Sequence, residues 1–430
     1  MSIVTQTALG ARALEPGLGE FRVWAPLAGS VEVRVGAGIH ALTEEEGGFW
    51  AGEVAASAGD DYRFVLDGRK ERPDPCSRWQ REGVRGPSRL LDTDAFEIAP
   101  GPKLQFDELV VYELHVGTFS PEGTFAGVVP RLEELRALGV TALELMPVAT
   151  FPGERGWGYD GLYTSSPHPA YGGPAGLAQL VDAAHRAGLG VLLHVLAELA
   201  RRVRAVAPDA LVISEMGLDD FRPLQEWGHD AMWLDSLHHA LHVALTGEQD
   251  GYYAGFDGSP ASIARELARP EGSQLVVCAQ NHDQVGNRAV GDRLQSSKLR
   301  LAQAVVFFSP FTPLLFQGEE YAETAPFQFF TDHIDPSIAD ATREGRRREF
   351  AGFAGFTAAD VPDPQAPETF ERSRLQPRPA DELVARLLRL RRELPRELEV
   401  RFDEDARTLE LRRGAATLRV DFATETVELT

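Results

Sequence analysis

The chain has 430 residues, long enough for two or three domains around a large buried core. Hydrophobic residues at 43% and charged residues at 25% are ordinary globular values, which excludes general disorder. A net charge of −22 gives no broad attraction for nucleic acid or an anionic membrane surface, and leaves neutral ligands such as sugars as fitting partners.

Residues 1–95 are expected to form an N-terminal β-sandwich. The runs FRVWAP, SVEVRV, GFWAGEV and DYRFVLDG alternate apolar and polar positions between Gly, Asp and Pro turns. A Pro- and Gly-bearing linker, AFEIAPGPKLQ, follows. Residues 107–395 then alternate apolar strands with helices, the pattern of an α/β fold with a (β/α) TIM-type barrel. LVVYELHV, ALELMPV, VLLHV, ALVISE, DAMWLDS, QLVVCAQ and TPLLFQ give seven strands, so the barrel is expected to be seven-stranded or distorted. Residues 396–430 read as a small C-terminal β-sheet.

Polar residues gather at the C-terminal ends of these strands: His115, Glu144, His194, Glu215, Asp235, Asp283 and Glu319. In a barrel that rim holds the active site. One Glu and one Asp on a shared rim are the minimum for glycoside cleavage, and Glu215 and Asp283 are the candidates. AQNHDQVGNR adds His282, Gln284 and Arg288 as candidate hydroxyl-binding groups, against the plainer reading of a loop built from Asx turns. The long loop GERGWGYDGLYTSSPHPAYGGP offers Trp157, Tyr159 and Tyr171 for stacking on sugars and Asp160 and His168 for hydroxyls, unless its aromatics only anchor the loop. His238 and His239, adjacent in sequence, make a poor metal pair. The basic run Arg346 to Arg348 reads as a solvated helix face.

No metal and no cofactor is expected: there is no HExxH, no clustered Cys/His spacing, no P-loop and no GxGxxG. Cys76 and Cys278 read as free thiols suited to a reducing cytoplasm. No stretch reads as a signal peptide or a membrane span, so a cytoplasmic location and no membrane or nucleic-acid partner are expected.

VVYELHVGTFSPEGTFAGV, LGVTALELMPVATFPGERGWGYDG, LTGEQDGYYAGF, NHDQVGNR, TPLLFQGEEYAETAPFQFFTDH and DVPDPQAPETFERSRL resemble the maltooligosyltrehalose trehalohydrolases, a family of the α-amylase superfamily that releases trehalose from the end of maltooligosyltrehalose. FRVWAPLAGSVEVRV resembles that family's N-terminal starch-binding-type sandwich. The resemblance implies Glu215 as general acid/base, Asp283 as transition-state stabiliser and His282 as a sugar-binding neighbour. It matches Tyr159 and Asp160 to the pair lining the cleaved sugar's subsite, and Asp235 with His238 and His239 to a stretch after the sixth strand.

It also implies a departure. Where the family carries Asp-x-x-x-Asn-His after its third strand, this chain reads HVLAEL, with His194 at the Asp position. The fourth strand, whose Asp is the family's nucleophile, has no counterpart, and Glu198 is the nearest substitute carboxylate in sequence. Three readings stay open: a hydrolase of α-glucans or trehalose-ended oligosaccharides, an impaired homologue that binds them, and a different sugar transformation drawing on His194.

Overall fold

The period of two in LGEFRVW and VEVRV turns every second side chain to one side, so strands Leu18–Trp24 and Val31–Val35 bury Phe21, Val23, Val31 and Val33. In the computed structural model, which describes residues 9–193, 210–215, 220–350 and 361–430, these strands belong to two different antiparallel sheets. One apolar cluster containing Phe21 and Trp50 from the first sheet and Val33 and Phe64 from the second lies between them, which makes the pair a sandwich. The sandwich meets the next layer through polar contacts: the Gln80 backbone N–H donates to Ser166 Oγ at 2.9 Å and the Tyr163 hydroxyl to the Val84 carbonyl at 2.9 Å.

The central sheet is built from β1 (Val111–Leu114), β2 (Ala142–Leu145), β3 (Gly190–Leu193), β4 (Ile213–Ser214), β5 (Ala231–Trp233), β6 (Leu275–Cys278) and β7 (Thr312–Phe316). Every pairing is parallel and the order is β3-β2-β1-β7-β6-β5-β4. β1, β2, β6 and β7 are buried at every residue, which is why they read as largely apolar runs rather than alternations, interrupted by charge only at Glu113 in β1 and Glu144 in β2. Helices α1 (Gly173–Arg186), α2 (Asp235–Thr246), α3 (Pro260–Leu267) and α4 (Ser296–Phe308) cross between strands and cover the outer face.

The sheet curls as a half-barrel whose path ends at β3 and β4; these two strands do not pair with each other among the described residues. The seven-stranded, distorted barrel expected from the sequence is the architecture observed. His194 and Glu198, and the helix expected around AELARRVRAVA, lie outside the described residues.

After α5 (Glu382–Leu390), which packs on α4, the strands Glu399–Asp403, Thr408–Arg413, Ala416–Asp421 and Thr426–Leu429 form a four-stranded meander. Its Leu409, Leu411, Leu418 and Val420 join the same core as the barrel helices. No helix among the described residues is long and apolar enough to cross a membrane.

Candidate active site

Along β1 the side chains alternate, so Val111 and Glu113 face the interior of the curl while Tyr112 and Leu114 face the helices. β2 repeats this with Ala142 and Glu144, and the register sets Glu113 directly beside Glu144. Two neighbouring carboxylates in a buried strand pair repel each other and need a cation.

That cation comes from the loop after β6. Asn281 accepts from the Gln284 backbone N–H at 2.8 Å and so caps a short helix, His282–Gly286, whose first two residues are His282 and Asp283. The plain reading expected a loop of Asx turns; the structure instead has an N-capped helix here, and that cap is what aims the two side chains. The His282 backbone N–H donates to Glu113 Oε2 at 3.0 Å, and its Nδ1–H donates to Glu113 Oε1 at 2.5 Å. Both groups are essentially buried, at 2% and 0% exposure. Burial alone lowers the imidazole pKa, but the charge and hydrogen bond of Glu113, helped by Asp283 and Glu144, outweigh it and raise His282 to about 9. At neutral pH the ring is an imidazolium.

Its other edge faces the open rim. Nε2 lies 2.7 Å from the Tyr159 hydroxyl and 3.5 Å from Asp283 Oδ1. Tyr159 stacks beside the imidazole, yet the residue stays 55% exposed. Its phenol is held protonated by burial and then by the fields of Asp283, Glu113, Glu215 and Glu144. Asp283 is anchored by the Asn287 amide, which donates to Oδ1 at 3.0 Å.

Glu215 follows β4 and is exposed at the rim. Asp235 opens α2, a position where the helix dipole favours a charged carboxylate. Burial and then the charges of Glu215 and Asp283 override the dipole, against the opposing pull of His282, and raise Asp235 to about 6. Glu215, Asp235, Asp283 and His282 thus share one electrostatic environment.

The other candidates divide. Trp157 is only 5% exposed: its indole N–H donates to the Gln328 carbonyl at 3.0 Å, its face stacks on Phe327 and its edge abuts His282. It forms the wall behind the imidazolium. Tyr171 and His168 are likewise buried, and the His168 ring accepts from the Ala170 backbone N–H, so these two anchor the loop instead of facing solvent. Asp160 sits 3.7 Å from His333 Nδ1, and burial raises its pKa. Gln284 meets the Tyr253 hydroxyl and His239, each at 3.5 Å. Arg288 is committed elsewhere: it grips Glu248 at 2.7 and 3.0 Å and Asp292 at 2.8 Å. His238 and His239 are buried in α2 and pushed down by burial and by the neighbouring His242. His194 is outside the described residues, and no group of His, Cys, Asp and Glu among the described residues is arranged to hold a metal.

Two contributors were not identified from the sequence. Glu113 carried a signal, being a lone charge inside an apolar strand, but its partner is distant in the chain. Arg346 corrects the expectation of a solvated basic face: Arg347 and Arg348 are exposed, whereas Arg346 is buried. One of its nitrogens donates to the carbonyls of Gly286 (2.8 Å) and Arg288 (3.0 Å), capping the helix that bears His282 and Asp283. Its guanidinium lies over the Phe350 ring, 4.5 Å from the centroid.

No family model matches the chain. Among curated proteins it is 36% identical to the malto-oligosyltrehalose trehalohydrolase of Deinococcus radiodurans, across 91% of this chain and 84% of that one. It is 34% identical to that of Rhizobium sp., across 96% and 92%. These alignments run to 508 and 551 positions, more than the 430 residues of this chain, so parts of each relative face gaps in it. A crystal structure of a candidate alpha amylase from Salmonella typhimurium superposes with a TM-score of 0.84 at 32% identity, covering 96% of this chain and 92% of that one. A pullulanase from Anoxybacillus sp. LM18-11 complexed with maltotetraose shares the fold, with a TM-score of 0.64 at 15% identity over 96% and 81% of the two chains. With identity above 30% spread over nearly its whole length, and a curled parallel sheet carrying carboxylates at its rim, the chain belongs to the malto-oligosyltrehalose trehalohydrolase family of α-amylase-superfamily glycoside hydrolases.

Proposed function

We propose that the rim cleaves maltooligosaccharides that end in trehalose and releases trehalose, with Glu215 as the general acid/base. Asp283, anchored by Asn287, stabilises positive charge developing at the anomeric carbon or serves as the base for an attacking water. Asp235, protonated up to about pH 6, is suited to donate a hydrogen bond to a sugar hydroxyl in mildly acidic solution. The imidazolium of His282 offers its field to an oxygen bound at the rim, and half-exposed Tyr159 offers the apolar face that stacks on a sugar ring. The observation that carries this reading is that Asp235, at the end of β5, lies within the fields of Glu215 after β4 and of His282 and Asp283 after β6, while Asp283 and Tyr159 directly face the His282 imidazolium. The free thiols Cys76 and Cys278 suit the cytoplasm as its location.

A second reading has its own support. The sheet path ends at β3 and β4, and the alignments are longer than the chain, as they would be if this chain lacked the strand that bears the family's nucleophile. Retaining chemistry needs a second carboxylate ~5–5.5 Å from the acid, whereas ~6.5–9.5 Å admits a water and inversion. With neither geometry the protein binds glucans without cleaving them. Proton NMR of the protein with maltooligosyltrehalose separates the readings. Trehalose formed by the wild type and not by Glu215→Gln supports the first, and the initial anomer of the released glucan distinguishes inversion from retention. Sugar line-broadening without turnover supports the second.

A further inference from the structure

The end of the sheet opposite the carboxylate rim carries a concentration of the other charge. A cavity of about 370 Å³ opens there beside Val110, Thr141 and Pro310, the residues that lead into β1, β2 and β7. Five arginines line it: Arg136, Arg391, Arg392, Arg396 and Arg413. Only Asp107 and Glu108 offset them within the lining, in a protein whose overall charge is −22.

Two of the five have a structural task. Arg391 donates to the Ser309 carbonyl at 2.9 Å, and Arg413 donates to the Phe308 and Ser309 carbonyls at 3.0 and 3.1 Å. Together they satisfy the orphan carbonyls at the C-terminus of α4. Neither pairs with a carboxylate among the described residues, and burial together with repulsion among Arg391, Arg413 and Arg396 lowers Arg391 to about 9 and Arg413 to about 10. Arg136 is exposed, and Arg392 and Arg396 have donors to spare. Arg392 gives one nitrogen to the Gly139 carbonyl at 3.0 Å; Arg396 gives one to the Asp107 carbonyl at 2.6 Å, and that nitrogen also lies 3.6 Å from the Asp107 carboxylate, so Arg396 is partly neutralised and its remaining N–H groups are the ones to spare.

We propose that this cavity binds a small phosphate-bearing anion, inorganic phosphate or a phosphorylated sugar, at a site separate from the carboxylate rim. Guanidinium forks match phosphate oxygens in pairs, and a bound dianion relieves the repulsion that the cluster carries alone. The space is roughly ten times the ~30 Å³ share of a water molecule in the liquid, enough for a phosphate with a sugar attached. Against a net charge of −22, which disfavours anions in general, this arginine-lined recess stands apart.

The test is ³¹P NMR of inorganic phosphate and of a hexose 6-phosphate with the full chain, in a constant excess of chloride. Broadening with the wild type, and an affinity at least about tenfold weaker in the Arg392→Gln/Arg396→Gln double variant, is the expected result. Tighter binding of the hexose phosphate assigns the sugar to the cavity, and equal binding assigns phosphate alone; both sustain an anion site. Absence of broadening with either probe, or equal broadening in the double variant, overturns it. If the double variant melts below the assay temperature, Arg136→Gln, at an exposed helix position, takes its place.

Discussion

Glu113 and His282 stand 169 residues apart in the chain and meet in one buried pair, in which a single carboxylate accepts from both the imidazole Nδ1–H and the backbone N–H of the same histidine. The pair fixes the direction of the ring and the charge on it. His282 then presents a cation to Tyr159 and Asp283 at the rim, although burial by itself would leave the ring neutral.

Removing the carboxylate charge from this pair inverts the balance. In Glu113→Gln, burial prevails and the His282 pKa falls from about 9 to below its ordinary 6.5. Because the folded pKa is the raised one, the stability this pair contributes is fully present below pH 6.5 and lost as pH rises through about 9. Imidazole ¹⁵N shifts followed from pH 5 to 10 check it: a wild-type His282 that titrates below 7 refutes the assignment.

Asp235 shows the opposite sign. Its folded carboxyl keeps a proton up to about pH 6 against an ordinary 3.8, so the folded state binds more protons between those values. Stability present below pH 3.8 is lost as pH rises through about 6. Asp235→Asn should therefore raise stability at pH 7 by about 1–2 kcal/mol, after discounting for partial solvent screening, and weaken or abolish turnover. Urea unfolding at pH 5 and pH 7 measures the first effect; a variant less stable than wild type at pH 7 contradicts it.

Trp157 and Tyr159 lie two residues apart and should fail differently. Trp157→Ala empties space against Phe327 and His282 and should cost about 3–5 kcal/mol of stability. Tyr159→Ala removes a half-exposed ring, leaves stability within about 1 kcal/mol and weakens maltooligosaccharide binding. Thermal melts and calorimetric titration with maltotetraose distinguish the two; equal destabilisation would mean that Tyr159 belongs to the core.

Arg288 should report on stability before ligand. Its guanidinium bridges Glu248 and Asp292, and the Glu248 pKa is held well below its ordinary value by the hydrogen bonds of His242 and Arg288. Because these carboxylates are partly exposed, Arg288→Gln should cost about 1 kcal/mol, less in high salt. Melting the variant at low and high salt tests this. A changed glucan affinity with no change in stability would return Arg288 to the binding site.

The sequence by itself determined the layers and the rim. Alternation set the sandwich strands, largely apolar runs set the parallel sheet, and carboxylates at strand ends marked one rim of that sheet, because side-chain periodicity and strand burial are local properties of the chain. Asn281 before His282 and Asp283 carried only the reading of an Asx-turn loop, and the structure makes it the cap of a short helix. Only the tertiary structure decided which aromatics face solvent, and it turned Trp157 inward and left Tyr159 out, though both sit in one loop of similar composition. Only it joined Glu113 to His282, Arg346 to the carbonyls of Gly286 and Arg288, and Arg391 and Arg413 to the end of α4. Each of those groups is a buried charge, and a buried charge is stable only beside partners that the fold brings from far along the chain.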